Sequence, residues 1–360
     1  MVLLLLLFLL PFTLIFIYHY IFPTSPSSPP GLPIIGNLHQ FDSAELHVFL
    51  CKLSKKYGSL MHMKLGYREA VVISSATIAK ETLRFRPTVI TGKVERLERV
   101  FKGLDSFYQE LIDKHLHPNR PKSMDGDIID ILLGLMEENS SLVNLTWDHI
   151  KAVLMNVLVG GTDTSAVVII WAMTALMKDP RVMNKVQHEI REFIGREKGK
   201  VDEDDIKHLP YFKVVIKETL RLYTPVPLLV SREIISKCTI DDEYEIKPKT
   251  IVIINAWAIA RDPKYCKDPE EFYPERFLDC NIDYKGQNFE FIPFGAGRRM
   301  CPGMTLGLVV AELALANLLY AFDWELPSGM KKEDIDTEPL PGLVMHKKNH
   351  LCLFAKNAQV

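Results

Sequence analysis

Several function classes are excluded by what the chain lacks. Its six cysteines (Cys51, Cys238, Cys266, Cys280, Cys301, Cys352) form no C-x-x-C pair and no Cys/His cluster at zinc-finger spacing. A disulfide framework and a structural zinc site are therefore set aside, and the pattern fits a reducing compartment where each thiol needs its own explanation. With a formal net charge of -2 and no basic stripe carrying interleaved aromatics, nothing favours nucleic acid as a partner. No internal repeat is present, which argues against a solenoid. No charged side chain precedes Asp42, and no proline occurs between Thr146 and Lys178. What is there is an ordinary globular balance, 48% hydrophobic and 24% charged over 360 residues, enough for one large domain or two smaller ones.

The uncharged start has a physical meaning. From Met1 to Phe22 the apolar run is interrupted only by Pro11, Thr13 and the Tyr18-His19-Tyr20 trio. About 20 apolar residues span a bilayer core as a helix, so residues 1–22 read as a membrane anchor. A cleaved secretory peptide fits less well, because the run lacks a basic leading region and no small-x-small cleavage site follows it. The first lysine, Lys52, stands too far away to orient the span by the positive-inside rule. Residues 23–36 follow as a proline-rich hinge, in which Pro23, Pro26, Pro29, Pro30 and Pro33 preclude a helix and set the angle between anchor and body.

Periodicity beyond the hinge predicts a mainly α protein with small β-sheets. Helices are expected at residues 46–57, from Ala76, at 95–116, 146–178, 180–193, 211–223 and 302–320, and strands at 59–63, 69–74, within 243–254 and at 350–354. The long helix at 146–178 is apolar on every face, which predicts burial. A second membrane span is disfavoured there by Asp163, the neighbouring threonines and Gly160-Gly161 at its centre.

Three local patterns carry chemistry. The stretch from Pro293 to Gly303 places Phe294, Gly295, Gly297, Arg298, Arg299, Cys301 and Pro302 in a loop that presents one side chain, Cys301, just before an apolar helix whose macrodipole favours negative charge. An isolated cysteine is more often a small buried hydrophobe, and the surrounding loop reverses that expectation. Glu218 and Arg221 stand at i and i+3 on a helix, a spacing that by itself means only a pair worth a few tenths of a kcal/mol, roughly. Gly160-Gly161-Thr162-Asp163-Thr164-Ser165 weakens the long helix at its middle, since glycine there costs roughly 0.5–1 kcal/mol against alanine and Asp and Thr compete for backbone hydrogen bonds.

Together these patterns resemble the cytochromes P-450, the haem-thiolate monooxygenases, in particular the plant microsomal branch. The motif F-x-x-G-x-R-x-C-x-G is met by Phe294, Gly297, Arg299, Cys301 and Gly303, and the pattern (A/G)-G-x-(D/E)-T-(T/S) by residues 160–165. The resemblance implies a haem cofactor, iron protoporphyrin with Cys301 as axial thiolate ligand, Arg299 and Arg232 as propionate contacts, and Phe294, Gly297 and Gly303 shaping the cofactor loop. It implies that Asp163 and Thr164 deliver protons at the oxygen site. It makes Glu218, Arg221 and Arg276, the last from the Phe272 to Phe277 segment, a structural triad in which a buried carboxylate is satisfied from both sides. It also implies a small lipophilic substrate, one oxygen atom of dioxygen inserted into it, electrons from an NADPH-dependent cytochrome P-450 reductase, and a single-pass protein of the endoplasmic reticulum membrane with its body cytosolic.

The resemblance breaks after Arg86-Pro87, where members carry several further helices, one with a W-x-x-x-R motif. None of Trp147, Trp171, Trp257 and Trp324 stands in such a helix. Residues 37–360 therefore read as a shortened, incomplete haem-thiolate domain with a deletion near 87–93. Three readings stay open: an active monooxygenase, a haem-binding but inactive membrane protein, and a non-functional truncated product.

Overall fold

A computed structural model describes residues 28–41, 45–83, 87–89, 95–122, 125–138, 144–240 and 244–358. The anchor at 1–22, the start of the hinge and most of the junction at 84–94 lie outside the described residues. The chain divides into two compact units, residues 1–90 with 165–360, and residues 91–164.

The larger unit holds a five-stranded sheet. Helix α1 (Leu46–Tyr57) leads into the hairpin β1 (Leu60–Leu65) and β2 (Arg68–Ile73), then α2 (Ala76–Thr82) and β3 (Pro87–Val89). Later in the chain come β4 (Arg232–Ile234), the small hairpin β5 (Cys238–Ile240) and β6 (Tyr244–Ile246), and β7 (Ile251–Ile254). The large sheet runs β1-β2-β7-β4-β3, with β2 and β7 parallel and the other neighbours antiparallel. Val71, Val72 and Ile73 on β2 and Val252, Ile253 and Ile254 on β7 are all buried, as expected of central strands covered on both faces.

The described part of the hinge is fastened to this sheet. Asn37 Nδ2 donates to the Pro29 and Pro30 carbonyls at 3.1 and 3.3 Å, its Oδ1 accepts from the Lys64 amide at 2.8 Å, and its own amide donates to the Lys64 carbonyl at 2.6 Å. One buried amide side chain thus ties proline carbonyls, which no ladder satisfies, to the edge strand β1.

The helices of the larger unit pack beside the sheet. The long helix Trp147–Lys178, α5 in chain order after α3 (Glu95–Leu116) and α4 (Ile128–Glu137), contributes its C-terminal half. It is followed by α6 (Pro180–Ile194), α7 (Glu203–Ile206) and α8 (Pro210–Leu222), and then by α9 (Ala256–Ile259), α10 (Met304–Ala321) and the closing hairpin β8 (Phe322–Glu325) with β9 (Phe354–Asn357). Asp179 caps α6 ahead of Pro180, whose missing N–H costs nothing at that position. The Glu189 carboxylate accepts from the Tyr211 and Phe212 amides at 2.8 and 2.7 Å, so α6 supplies the anion at the positive end of α8. Leu176, Val186, Ile190, Phe212, Val215, Leu315 and Leu319, all under 2% exposed, form the shared core.

In the smaller unit α3, α4 and the first half of α5 close around Tyr108, Ile112, Ile129, Leu133, Ile150 and Leu154. Asp127 caps α4 by accepting from the Ile129 and Asp130 amides, while its other oxygen meets Nε2 of the buried His115 at 2.8 Å. His115 Nδ1 donates to the Leu111 carbonyl at 2.8 Å, so this ring links the end of α3 to the start of α4.

Two expectations need correction. Helix α5 is not buried throughout: Val167, Val168, Trp171, Ala172 and Leu176 are, but Leu158, Val159, Gly160, Thr162 and Asp163 are exposed. Apolar composition records what prefers burial, not whether the chain supplies a cover. Gly160-Gly161 lies within the unbroken helix, and the Thr162 and Thr164 hydroxyls bond back to the Leu158 and Gly160 carbonyls at 2.5 and 2.6 Å. The last strand spans Phe354–Asn357, not 350–354, since its register is set by Trp324 facing Ala355 in the hairpin.

Candidate functional site

The cysteine loop is held by its own backbone. The Gly295 amide donates to the Ile292 carbonyl at 2.9 Å, Met300 to Gly297 at 3.1 Å, and Cys301 to Phe294 at 2.9 Å, so the chain folds back on itself and offers the Cys301 side chain two residues before the cap of α10. Gly297 has φ near 71°, and a Cβ there would stand 2.4 Å from the Leu83 carbonyl oxygen; no other residue fits. A Cβ on Gly303 would meet the Cys301 sulfur at 3.9 Å, which places that glycine directly against the thiol. Cys301 is half-buried, and half-buried Phe294 sits edge-on to Tyr284 at 5.8 Å.

Beside this loop stands an unanswered cation. Arg232, on β4, is 6% exposed, and a Cβ on Gly295 would lie 3.8 Å from its Nη2. Its Nη1 is buried without a hydrogen-bond partner. Burial, and then the positive charge of Arg299, push its pKa down to about 10. Two guanidiniums kept close with one of them unsatisfied are costly unless an anion sits with them.

Glu218, Arg221 and Arg276 converge behind the loop. Glu218 is fully buried; Arg221 Nε and Nη2 donate to its two oxygens at 2.7 and 2.9 Å, Arg276 Nε at 3.1 Å and the Tyr273 amide at 2.9 Å. Arg221 Nη1 reaches on to the Pro269 carbonyl at 2.7 Å, and Arg276 Nη1 to Lys267 at 2.7 Å. Both carboxylate oxygens accept, Oε1 from three donors and Oε2 from one, which offsets most of the penalty of burying the charge.

Two neighbours escaped the sequence reading. Arg261, 9% exposed, lies 3.9 Å over the Trp257 ring and donates to the Leu222 carbonyl at 2.5 Å, closing the C-terminal end of α8; burial pushes its pKa down to about 10, with Glu270 pulling the other way. Glu275, beside Arg276 in the turn Pro274–Phe277, collects donors from α6 and α8. Neither has a sequence signal, because the partners lie far away along the chain.

Asp163 and Thr164 belong to the smaller unit and Cys301 to the larger. Thr164 is half-buried, its hydroxyl donating to Gly160 as described, and Asp163 is exposed.

Comparison with known proteins decides the family. Residues 26–93 and 86–354 match the cytochrome P-450 family model. The chain belongs to the cytochrome P-450 family. A 6,7,8-trihydroxycoumarin synthase of Pastinaca sativa is 38% identical over 475 positions, covering 92% of this chain and 93% of the relative. The 5-OH-xanthotoxin synthase of Ammi majus is 37% identical over 475 positions, with 92% and 93% covered. The one from Pastinaca sativa is 54% identical over 272 residues, 74% of this chain and 53% of the relative. An alignment of 475 positions cannot be filled by 360 residues, so these cytochromes P-450 carry internal sequence that this chain lacks.

Cytochromes P-450 bind haem through a cysteine thiolate and act as monooxygenases; haem is the cofactor of this family member. The residues present fit it on the cysteine side. The soft sulfur of Cys301 suits iron as a ligand, and a propionate carboxylate would supply the anion that Arg232 lacks.

Proposed function

We propose that the chain is a shortened microsomal cytochrome P-450 that inserts one atom of dioxygen into a small lipophilic substrate, with electrons from an NADPH-dependent reductase. The observation that carries the reading is the buried Arg232 guanidinium, its Nη1 without a partner and its charge opposed by that of Arg299, beside the Cys301 loop. When bound, the haem supplies the oxygen-activating chemistry, aided by electron donation from the thiolate. Cys301 is its ligand, and Arg232 and Arg299 hold its carboxylates. Phe294, Gly297 and Gly303 shape the loop, and the Glu218–Arg221–Arg276 cluster keeps that loop at a fixed distance from α8. Thr164 and Asp163 supply protons at the oxygen site. For this the Thr164 hydroxyl must turn from the Gly160 carbonyl, exchanging one hydrogen bond for another.

In this reading residues 1–22 anchor the protein in the endoplasmic reticulum membrane, 23–36 form the hinge, and the body from 37 to 360 is cytosolic, with the missing stretch falling where the two family-model segments share residues 86–93. The names of its relatives suggest a phenolic coumarin-like substrate. A second reading, a haem-binding but inactive membrane protein, draws on the exposure of Leu158 to Gly160, apolar positions with no cover among the described residues. Reconstitution with a plant NADPH-dependent reductase and a coumarin panel under isotopically labelled dioxygen separates the two. Label in a hydroxylated product supports turnover; haem uptake with no labelled product supports the inactive form.

A further inference from the structure

Glu275 is 14% exposed at its side chain; its Oε1 accepts from three groups and its Oε2 from Arg181 Nη2 at 3.5 Å. Arg181 Nη1 donates to Oε1 at 2.6 Å, Lys185 Nζ at 3.1 Å and the Tyr211 hydroxyl at 2.9 Å. Lys185 also lies 3.9 Å over the Tyr211 ring, so the three donors brace one another. Arg181 and Lys185 come from the start of α6, Tyr211 from the start of α8. The next residue, Arg276, points the other way and reaches Glu218 further along α8. The turn Pro274–Phe277 is therefore pinned to α8 at two points, Tyr211 at its beginning and Glu218 beyond its middle, so it can neither slide nor rotate along the helix.

The pin leads to the cysteine. Phe277, the last residue of the turn, is 5% exposed and packs on Phe291 at 5.3 Å between ring centres. Phe291 lies three residues before Phe294, whose carbonyl accepts the Cys301 amide at 2.9 Å. Packed interiors have low compressibility, so a displacement of the turn is transmitted along this path and not absorbed.

We propose that Glu275 is a positioning residue for Cys301, acting through the turn Pro274–Phe277 and the Phe277–Phe291 contact. The inference rests on the haem-thiolate reading above.

The test is Glu275→Gln in the full chain, which keeps shape and removes charge, with Glu275→Asp as the conservative rescue. Hydrogen exchange is followed in the protein as purified, and the carbon monoxide spectrum in the reduced, haem-loaded protein. Removing a charge-assisted acceptor is expected to speed exchange in the 291–301 loop about tenfold, with no change in the hairpin Leu60–Ile73. The absorption is expected to shift from the thiolate-ligated band toward the unligated one, and Glu275→Asp to restore most of it. A merely structural role would speed exchange across the whole unit and leave the ligation band unmoved. Loop exchange within about twofold of the unaltered chain would overturn the proposal. If Glu275→Gln does not fold, Tyr211→Phe removes one donor and must give the same pattern at smaller amplitude; loop exchange unchanged in that variant overturns the proposal. If the unaltered chain shows no thiolate band, the haem reading fails by itself, and loop exchange still decides whether Glu275 holds the loop.

Discussion

Around Glu218, charged groups are buried and answered: one carboxylate, two guanidiniums and a ring of carbonyls account for one another. Around Gly160 the side chains other than Asp163 are apolar or hydroxylic, and much of the surface is exposed. The first region assembles from α8 and the segment Lys267 to Arg276, within one compact unit. The second lies on a single helix, where the Thr162 and Thr164 hydroxyls bond back to the preceding turn. The contrast teaches that a helix can keep its secondary structure where its surface stays exposed, whereas the cluster around Glu218 is specified by tertiary contacts within its own unit.

The comparison breaks most severely at Glu218. Glu218→Ala leaves the buried Arg221 and half-buried Arg276 guanidiniums with carbonyl partners but no counter-charge, and the expected loss is about 3–5 kcal/mol in urea unfolding. A loss below about 1 kcal/mol would mean the cluster is not the scaffold. Arg232 gives a smaller effect with a sign that depends on haem. Without haem, Arg232→Met removes a buried charge whose Nη1 has no partner and should raise stability by about 1 kcal/mol; with haem it should weaken retention of the cofactor about tenfold, read by transfer to an apo-globin.

His115 sharpens the smaller unit. Burial works against its charge, but the Leu111 carbonyl and Asp127 outweigh it and raise its pKa above 6.5. The His115–Asp127 pair therefore contributes stability in full below pH 6.5, and this is lost as pH rises through the raised folded value. Amide exchange at the start of α4 should quicken over that rise, and His115→Gln should abolish the dependence. The smallest effect on stability belongs to the exposed side of α5. Thr164→Ala should change the unfolding free energy measured in urea by no more than about 0.5 kcal/mol, while lowering product formed per NADPH at least tenfold.

Legibility in the sequence follows the same division. The cysteine loop could be read because its glycines and proline are required by local backbone geometry, and Gly297 against Leu83 shows the requirement directly. The triad could be read only once the family pattern joined Arg276 to the Glu218–Arg221 spacing. Glu275 and Arg261 could not: their partners Arg181, Lys185, Tyr211 and Leu222 come together through helix packing that leaves no periodic trace. Helix α5 was read correctly as an element and wrongly as buried, since hydrophobic periodicity fixes a face and not its neighbour. The pairing of Trp324 with Ala355 likewise depends on a distant partner, which is why the last strand lay later than its composition suggested.

The central claim is that Cys301 ligates haem iron in this shortened chain. A carbon monoxide difference spectrum of the reduced, expressed protein tests it directly. The account predicts a Soret band at the position of a thiolate-ligated haem, absent in Cys301→Ala; no such band in the unaltered chain, or its persistence in the variant, would contradict it.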